Sequence, residues 1–179
     1  MLSSNGAFLV AGLLTGTLWA QPTGDAARGK ALFENKGQCL SCHRVNGNGS
    51  RMGPDLSEIG VPRRAGGPGP AIETLAAGNA AALERKLLDP DAEVAPANRF
   101  VHAITKEGVT VTGRLLNRDN FTVQFIDAGG TLRAYSIAGL RELSLVTKSQ
   151  MPSYKDRLNA QEVADLVSYL LSLKGLPAK

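Results

Sequence analysis

The chain has 179 residues, 43% of them hydrophobic and 20% charged, with a formal net charge of +4 at neutral pH. Length and apolar content suit one globular domain with a core of its own. The charge amounts to a mildly basic surface at most and gives no case for nucleic-acid binding.

One long apolar segment opens the chain, residues 7–19 (AFLVAGLLTGTLW), short for a membrane span and followed by Ala20-Gln21-Pro22, where a small residue can precede a cleavage site. Residues 1–20 are read as an export signal and residues 21–179 as a single domain. The preceding MLSSNG holds no Lys or Arg, so only the amino terminus supplies positive charge, and an uncleaved N-terminal anchor is the alternative. Thr23 or Asp25 then caps a helix predicted over 24–34, in which Gly29 and Phe33, four apart, share one face.

Cys39-Leu40-Ser41-Cys42-His43 follows. Thiols three residues apart on a helical turn can each add across a porphyrin vinyl group while the adjacent imidazole is held under the iron, and C-x-x-C-H reads as covalent attachment of one c-type haem. A redox dithiol, half of a zinc site, or a structural disulfide between Cys39 and Cys42 are the competing readings. Zinc would need further ligands, yet the chain holds no other Cys and only one other histidine, His102. Haem attachment after export places the folded part outside the cytoplasm, in a bacterial periplasm.

Residues 63–70 (RRAGGPGP) form a Gly/Pro-rich loop, and Asn79 caps a short helix over 80–88 that Asp89-Pro90 stops. The period then changes. Val109, Val111, Gly113 and Leu115 alternate with Thr110, Thr112 and Arg114, and Phe121, Val123 and Phe125 alternate with Thr122 and Gln124. With 99–105, 132–137 and 142–147, about five short strands are predicted over 99–147, a small antiparallel meander. The last helix is better specified. Asn159 and Glu162 make a capping-box pair, Leu158 and Val163 staple its entry, and Gly175 with Pro177 ends it after Lys174. Val163, Leu166, Val167, Leu170 and Leu173 give it one apolar stripe, with Tyr169 at the edge.

These residues together resemble class I c-type cytochromes, in which an N-terminal helix with a Gly/aromatic pair crosses a C-terminal helix bearing L-x-x-[YFW]. The matching residues are Gly29, Phe33, Leu166 and Tyr169; the likeness continues through Cys39, Cys42 and His43 to Gly53-Pro54-Asp55-Leu56 and resumes at Met151-Pro152. It covers 24–60 and 149–175. It implies a mainly α cytochrome c fold, with crossed terminal helices around haem, into which the β-meander of 99–147 is inserted. It also implies that the Pro54 carbonyl accepts a hydrogen bond from the second nitrogen of His43, orienting the imidazole. Ordinary small cytochromes c lack such a sheet. The chain is more similar to haem-binding cytochrome domains, found alone or at the C-terminus of large dehydrogenase-like proteins in some environmental bacteria, that carry a β insertion before the ligand methionine.

With His43 as one axial ligand of the iron, Met52, Met151 and His102 compete for the other. A chain turning under the haem to bring Pro54 to His43 leaves Met52 on the wrong face. Met151 lies beyond the insertion, stiffened by Pro152, at the family position. His102, beside Phe100 and Ile104, reads as a hydrogen-bonded sheet residue. His/Met ligation fills both axial sites and predicts a periplasmic monohaem carrier of single electrons, not an enzyme, serving redox partner proteins such as a dehydrogenase or respiratory partner, with no membrane span in the mature chain. An open sixth position would instead make a haem-based sensor or peroxidase-like protein, and a haem acting only as a staple would leave a binding module. The insertion is expected to pack against the haem domain and to turn Thr110, Thr112 and Arg114, with Arg118, toward solvent as a partner-docking face; a purely structural role, filling space along one haem edge, is the alternative.

Overall fold

The computed structural model describes residues 23–61 and 80–176. The proposed export signal, the loop at 63–70, the Asn79 cap and Pro177 lie outside them. Asp25 caps α1 (Ala26–Glu34), its side chain accepting from the Arg28 amide, so the helix begins two residues later than predicted. α2 is Ala80–Leu88 and α3 is Ala160–Ser172, whose capping box is closed in both directions: Asn159 Oδ1 accepts from the Glu162 amide and Glu162 Oε2 from the Asn159 amide, each at 2.9 Å. α3 ends two residues earlier than predicted, with Gly175 at positive φ (81°).

α1 and α3 pack with their backbones in contact. A Cβ on Gly29 would overlap the Asp165 carbonyl, so this approach needs a glycine. Beside it Phe33 and Tyr169 meet edge to face, ring centroids 5.3 Å apart. Asp165, buried within the apolar stripe of α3, ties the two helices at their polar end: it accepts from the Asp25 amide (2.8 Å), from Arg28 Nε (2.7 Å) and from Gln161 (2.9 Å). Those donors, the Arg28 guanidinium first among them, hold its carboxyl far below the usual carboxylate range. Phe33, Leu56, Leu83, Leu87, Tyr154, Leu158, Leu166 and Leu170 complete the core of this half.

The expectation of a mainly α fold is overturned. Strand outnumbers α-helix among the described residues, and the stretch after α2 forms a five-stranded antiparallel sheet. A short hairpin, β1 (Arg44–Val45) and β2 (Asn48–Gly49), follows the C-x-x-C-H turn. The sheet comprises β3 (Phe100–Thr105), β4 (Thr110–Arg118), β5 (Thr122–Asp127), β6 (Leu132–Ser136) and β7 (Leu140–Val146), in the order β6-β5-β4-β3-β7. It is not the simple meander expected, since β7 returns through a short 3-10 turn at Ile137–Gly139 to pair with β3 instead of β6. β4 also runs past Leu115: the register shifts between Leu115 and Asn117, and the extra residue lets Asn117 and Arg118 go on pairing with Gln124 and Val123.

That return gives the sheet a core of its own. Val101, Val123 and Phe125 are fully buried (0% exposed), with Val111, Leu115, Tyr135, Leu140 and Leu143 packed around them from all five strands. Of the alternation read at 109–115, Val111 and Leu115 face this second core and not the helices, while Val109, before the strand begins, is exposed. Among the described residues it is the short 3-10 turn Pro96–Asn98, and no α-helix, that makes repeated close backbone contacts with the sheet, at β4. α helix and β sheet therefore form two hydrophobic centres, which is why helical signatures at the two ends of the chain do not make the fold mainly α.

Gly29→Ala is expected to force the two helices apart at a cost of about 2 kcal/mol or more, read as a lower denaturation midpoint of the full chain. Asp165→Asn is expected to lower the melting temperature at neutral pH. Because the folded pKa of Asp165 is depressed, its contribution is fully present above its unfolded value and is lost as pH falls through the folded one. The difference between wild type and Asp165→Asn should thus shrink on going below about pH 4.

Candidate haem-binding site

Local hydrogen bonding shapes the C-x-x-C-H segment as a single helical turn. Gln38 enters it at positive φ (51°), residues Cys39–Ser41 form a 3-10 turn, and the His43 amide donates to the Cys39 carbonyl at 2.8 Å. Both cysteines are free thiols, Cys39 buried and Cys42 exposed. Burial pushes the Cys39 thiol up to about 11. At Cys39 this is opposite in direction to the shift that activates a thiol for thiolate attack.

The chain turns through β1 and β2 and comes back beneath His43. His43 Nδ1 lies 3.0 Å from the Pro54 carbonyl oxygen, the contact expected from the resemblance. With Nδ1–H donating there, the proton is placed on Nδ1 and the lone pair on Nε2, which has no hydrogen-bond partner among the described residues. Burial holds the imidazolium below its ordinary pKa, opposed by that carbonyl. Gly53 makes the approach possible: a Cβ there would sit 2.8 Å from Nδ1, closer than real side chains come.

Cys39, Cys42 and His43 line one cleft whose remaining wall is mostly apolar, including Phe33, Leu56, Leu83, Leu87, Leu166 and Leu170, contributed by α1, α2, α3 and the loop after Pro54. Two vinyl-reactive thiols, a neutral imidazole with a free nitrogen and a large apolar surface suit a flat, hydrophobic macrocycle with an iron centre. The residues present fit haem.

Met52 and Met151 both line this cleft, and His102 does not. His102 stands mid-strand in β3 between Thr112 and Ser144, so the structure removes it from contention for the site. The methionines differ in how they are held. Met52 directly precedes Gly53, on the segment that backs His43. Met151 arrives on the loop between β7 and α3, packs against the helical core, and is tied down on both sides. Its amide donates to Ser149 Oγ (3.0 Å), the Ser149 amide to Asp91 (2.6 Å), Ser153 Oγ to the Leu88 carbonyl (2.6 Å) and the Tyr154 amide to the Leu87 carbonyl (2.9 Å). Tyr154 reaches farther: its buried hydroxyl donates to the Gly37 carbonyl at 2.6 Å, joining the Met151 loop to the turn that carries Cys39. Sequence reasoning missed Tyr154. A single aromatic two residues after a Met-Pro pair carries no periodic signal.

Arg114 is also placed differently from its expected position on a solvated face. It is partly buried, lines the cleft, and donates from Nε (3.3 Å) and Nη2 (3.2 Å) to the Arg51 carbonyl. Thr110, Thr112 and Arg118 are exposed.

Tyr154→Phe should leave the Gly37 carbonyl without its buried partner and cost about 1–2 kcal/mol. Urea unfolding of the full chain measures this, and an unchanged midpoint would deny the tether any role.

No curated protein matches the chain. Residues 26–107 match the Cytochrome c family, a span holding α1, the C-x-x-C-H turn, Pro54, α2 and β3 and ending before Met151 and α3. That span, a little under half of the chain, contains the whole His43 wall of the cleft, and over it the chain is similar to the c-type cytochromes.

Proposed function

We propose that this protein is an exported monohaem cytochrome that carries single electrons between protein partners. A cytochrome c domain makes it a haem-binding electron carrier; covalent attachment through Cys39 and Cys42, axial ligation by His43 and Met151, and a periplasmic site of action are the finer parts of the reading. One observation carries it: an imidazole oriented by Pro54, whose Nε2 has no hydrogen-bond partner among the described residues, lines the same cleft as both thiols and a tethered methionine.

Haem held there supplies a one-electron ferric/ferrous couple. Cys39 and Cys42 fix its edge, and His43, made a better donor by the Pro54 carbonyl, holds its iron from one wall. Met151 is the better candidate for the second axial position than Met52, because its loop comes from the far end of the chain while Met52 shares the segment that packs on His43. Its thioether is a soft, neutral donor that favours the reduced state and leaves no open coordination site. The apolar wall excludes water and limits rearrangement on electron exchange. A filled coordination sphere suits a carrier better than an enzyme or a gas sensor. No described helix is long and apolar enough to cross a membrane; export rests on residues 1–20 and on the chemistry of haem attachment.

Replacing either Cys39 or Cys42 by Ala is expected to reduce haem retention on denaturing gels, and replacing both to abolish it. Retention in the double variant would refute covalent attachment. Met151→Ala should keep the haem, lower its potential, remove the iron–thioether absorption band of the ferric protein and admit CO, whereas Met52→Ala should leave that band in place. The reverse pattern would transfer the ligand role to Met52.

A further inference from the structure

The sheet contributes one cross-strand row to the cleft. Phe100 on β3 pairs directly with Arg114 on β4, and directly opposed residues project from the same face. Both line the cleft, on the face opposite the one that closes the sheet's own core around Val101. Phe100 is 6% exposed and adds apolar wall. Arg114 adds charge.

That charge has no counter-ion among the described residues. Among the described residues the guanidinium donates only to a neutral carbonyl, that of Arg51, and the charge acting on it is the like charge of Arg51 itself. Other ionisable groups on the cleft do not compensate it: Lys86 is paired with Glu93 at 3.1 Å, and Arg157 lies over the Tyr154 ring at 5.0 Å. Burial and Arg51 both press the guanidinium pKa downward, the direction expected of a cation awaiting an anion. Its Nε edge is spent on the Arg51 carbonyl, which leaves the Nη1–Nη2 end, a planar fork matched to a carboxylate.

We infer that Arg114 binds a propionate carboxylate of the haem, so that the sheet completes the haem site. This rests on the cytochrome reading above and extends it to a residue outside the matched span of 26–107. The partly buried arginine loses its uncompensated charge, and the carboxylate is held ionised beside the iron. Arg51, close by, adds to the positive field.

The test uses the holoprotein. Arg114→Gln should retain stained haem and the iron–thioether band but show a lower reduction potential, because an unneutralised propionate favours ferric iron. Its propionate should also regain protons near neutrality, so the potential should fall with rising pH over a range in which wild type is flat. Arg114→Lys, which keeps charge but not the fork, should lie between the two. Arg118→Gln removes the same charge from the exposed end of β4 and should resemble wild type. An Arg114→Gln variant that melts earlier yet keeps the wild-type potential and pH profile would reduce Arg114 to a strut between sheet and loop, overturning the proposal. A wild-type potential that shifts saturably with added inorganic phosphate, and an Arg114→Gln potential that does not, would assign the fork to a soluble anion and overturn it equally. Absence of attached haem in wild type would defeat the cytochrome reading itself, whereas haem present with indifferent Arg114 variants defeats only this inference.

Discussion

Everything in the helical half of this protein depends on the backbone contact between α1 and α3 at Gly29. Because no side chain separates the helices there, Phe33 and Tyr169 are brought edge to face and Leu166 is sealed from solvent (0% exposed). Phe33, Leu166 and Leu170 are at once the core of this half and the back wall of the cleft. Core and site are the same packing problem. The Asp165 network at the polar end keeps the pair in register: a carboxylate buried beside apolar side chains is tolerable only when its oxygens are all spoken for, and two backbone or side-chain amides and an arginine do this.

The His43 wall is built differently, by short-range hydrogen bonds within some twenty residues of chain. A helical turn brings Cys39, Cys42 and His43 together, a tight hairpin reverses the chain, and Gly53 lets Pro54 come under the imidazole. Being local, this wall needs little from the rest of the molecule to have its shape. The opposite wall is the reverse case. The Met151 loop is placed by bonds from Ser149, Ser153 and Tyr154 to Asp91, Leu88, Leu87 and Gly37, partners dispersed across the chain, so its position depends on α2 and the turn that carries Cys39 having come together.

Between these walls the sheet has a double character. Its own core of Val101, Val123 and Phe125 makes it a second hydrophobic centre, able to hold its shape without a helix against it. Yet the row through Phe100 and Arg114 turns the other way and joins the cleft. An insertion that were merely tolerated would have no reason to place a partly buried guanidinium there, facing an apolar pocket with only a carbonyl for company.

Much of this was legible in the residues themselves. The C-x-x-C-H turn, the Gly29/Phe33 pair, the α3 capping box and the α2 span all rest on interactions within a few residues, or on helical spacing, and so leave a periodic or motif-length imprint. The period-two pattern likewise announced strands. Their pairing was a different matter: alternation says which side chains share a face but not what covers that face, and the return of β7 to β3, which turns a meander into a sheet with its own core, is decided by contacts more than thirty residues apart. For the same reason the mainly α fold that the resemblance implies fails here, since it matches the helical ends of the chain while strand residues prevail between them. Arg114 looked like one more solvated residue in an alternating strand, because its burial comes from Arg51 and the cleft, far away in sequence. Local chemistry is written in neighbouring residues; a wall shared by two hydrophobic cores appears only when the chain has brought them together.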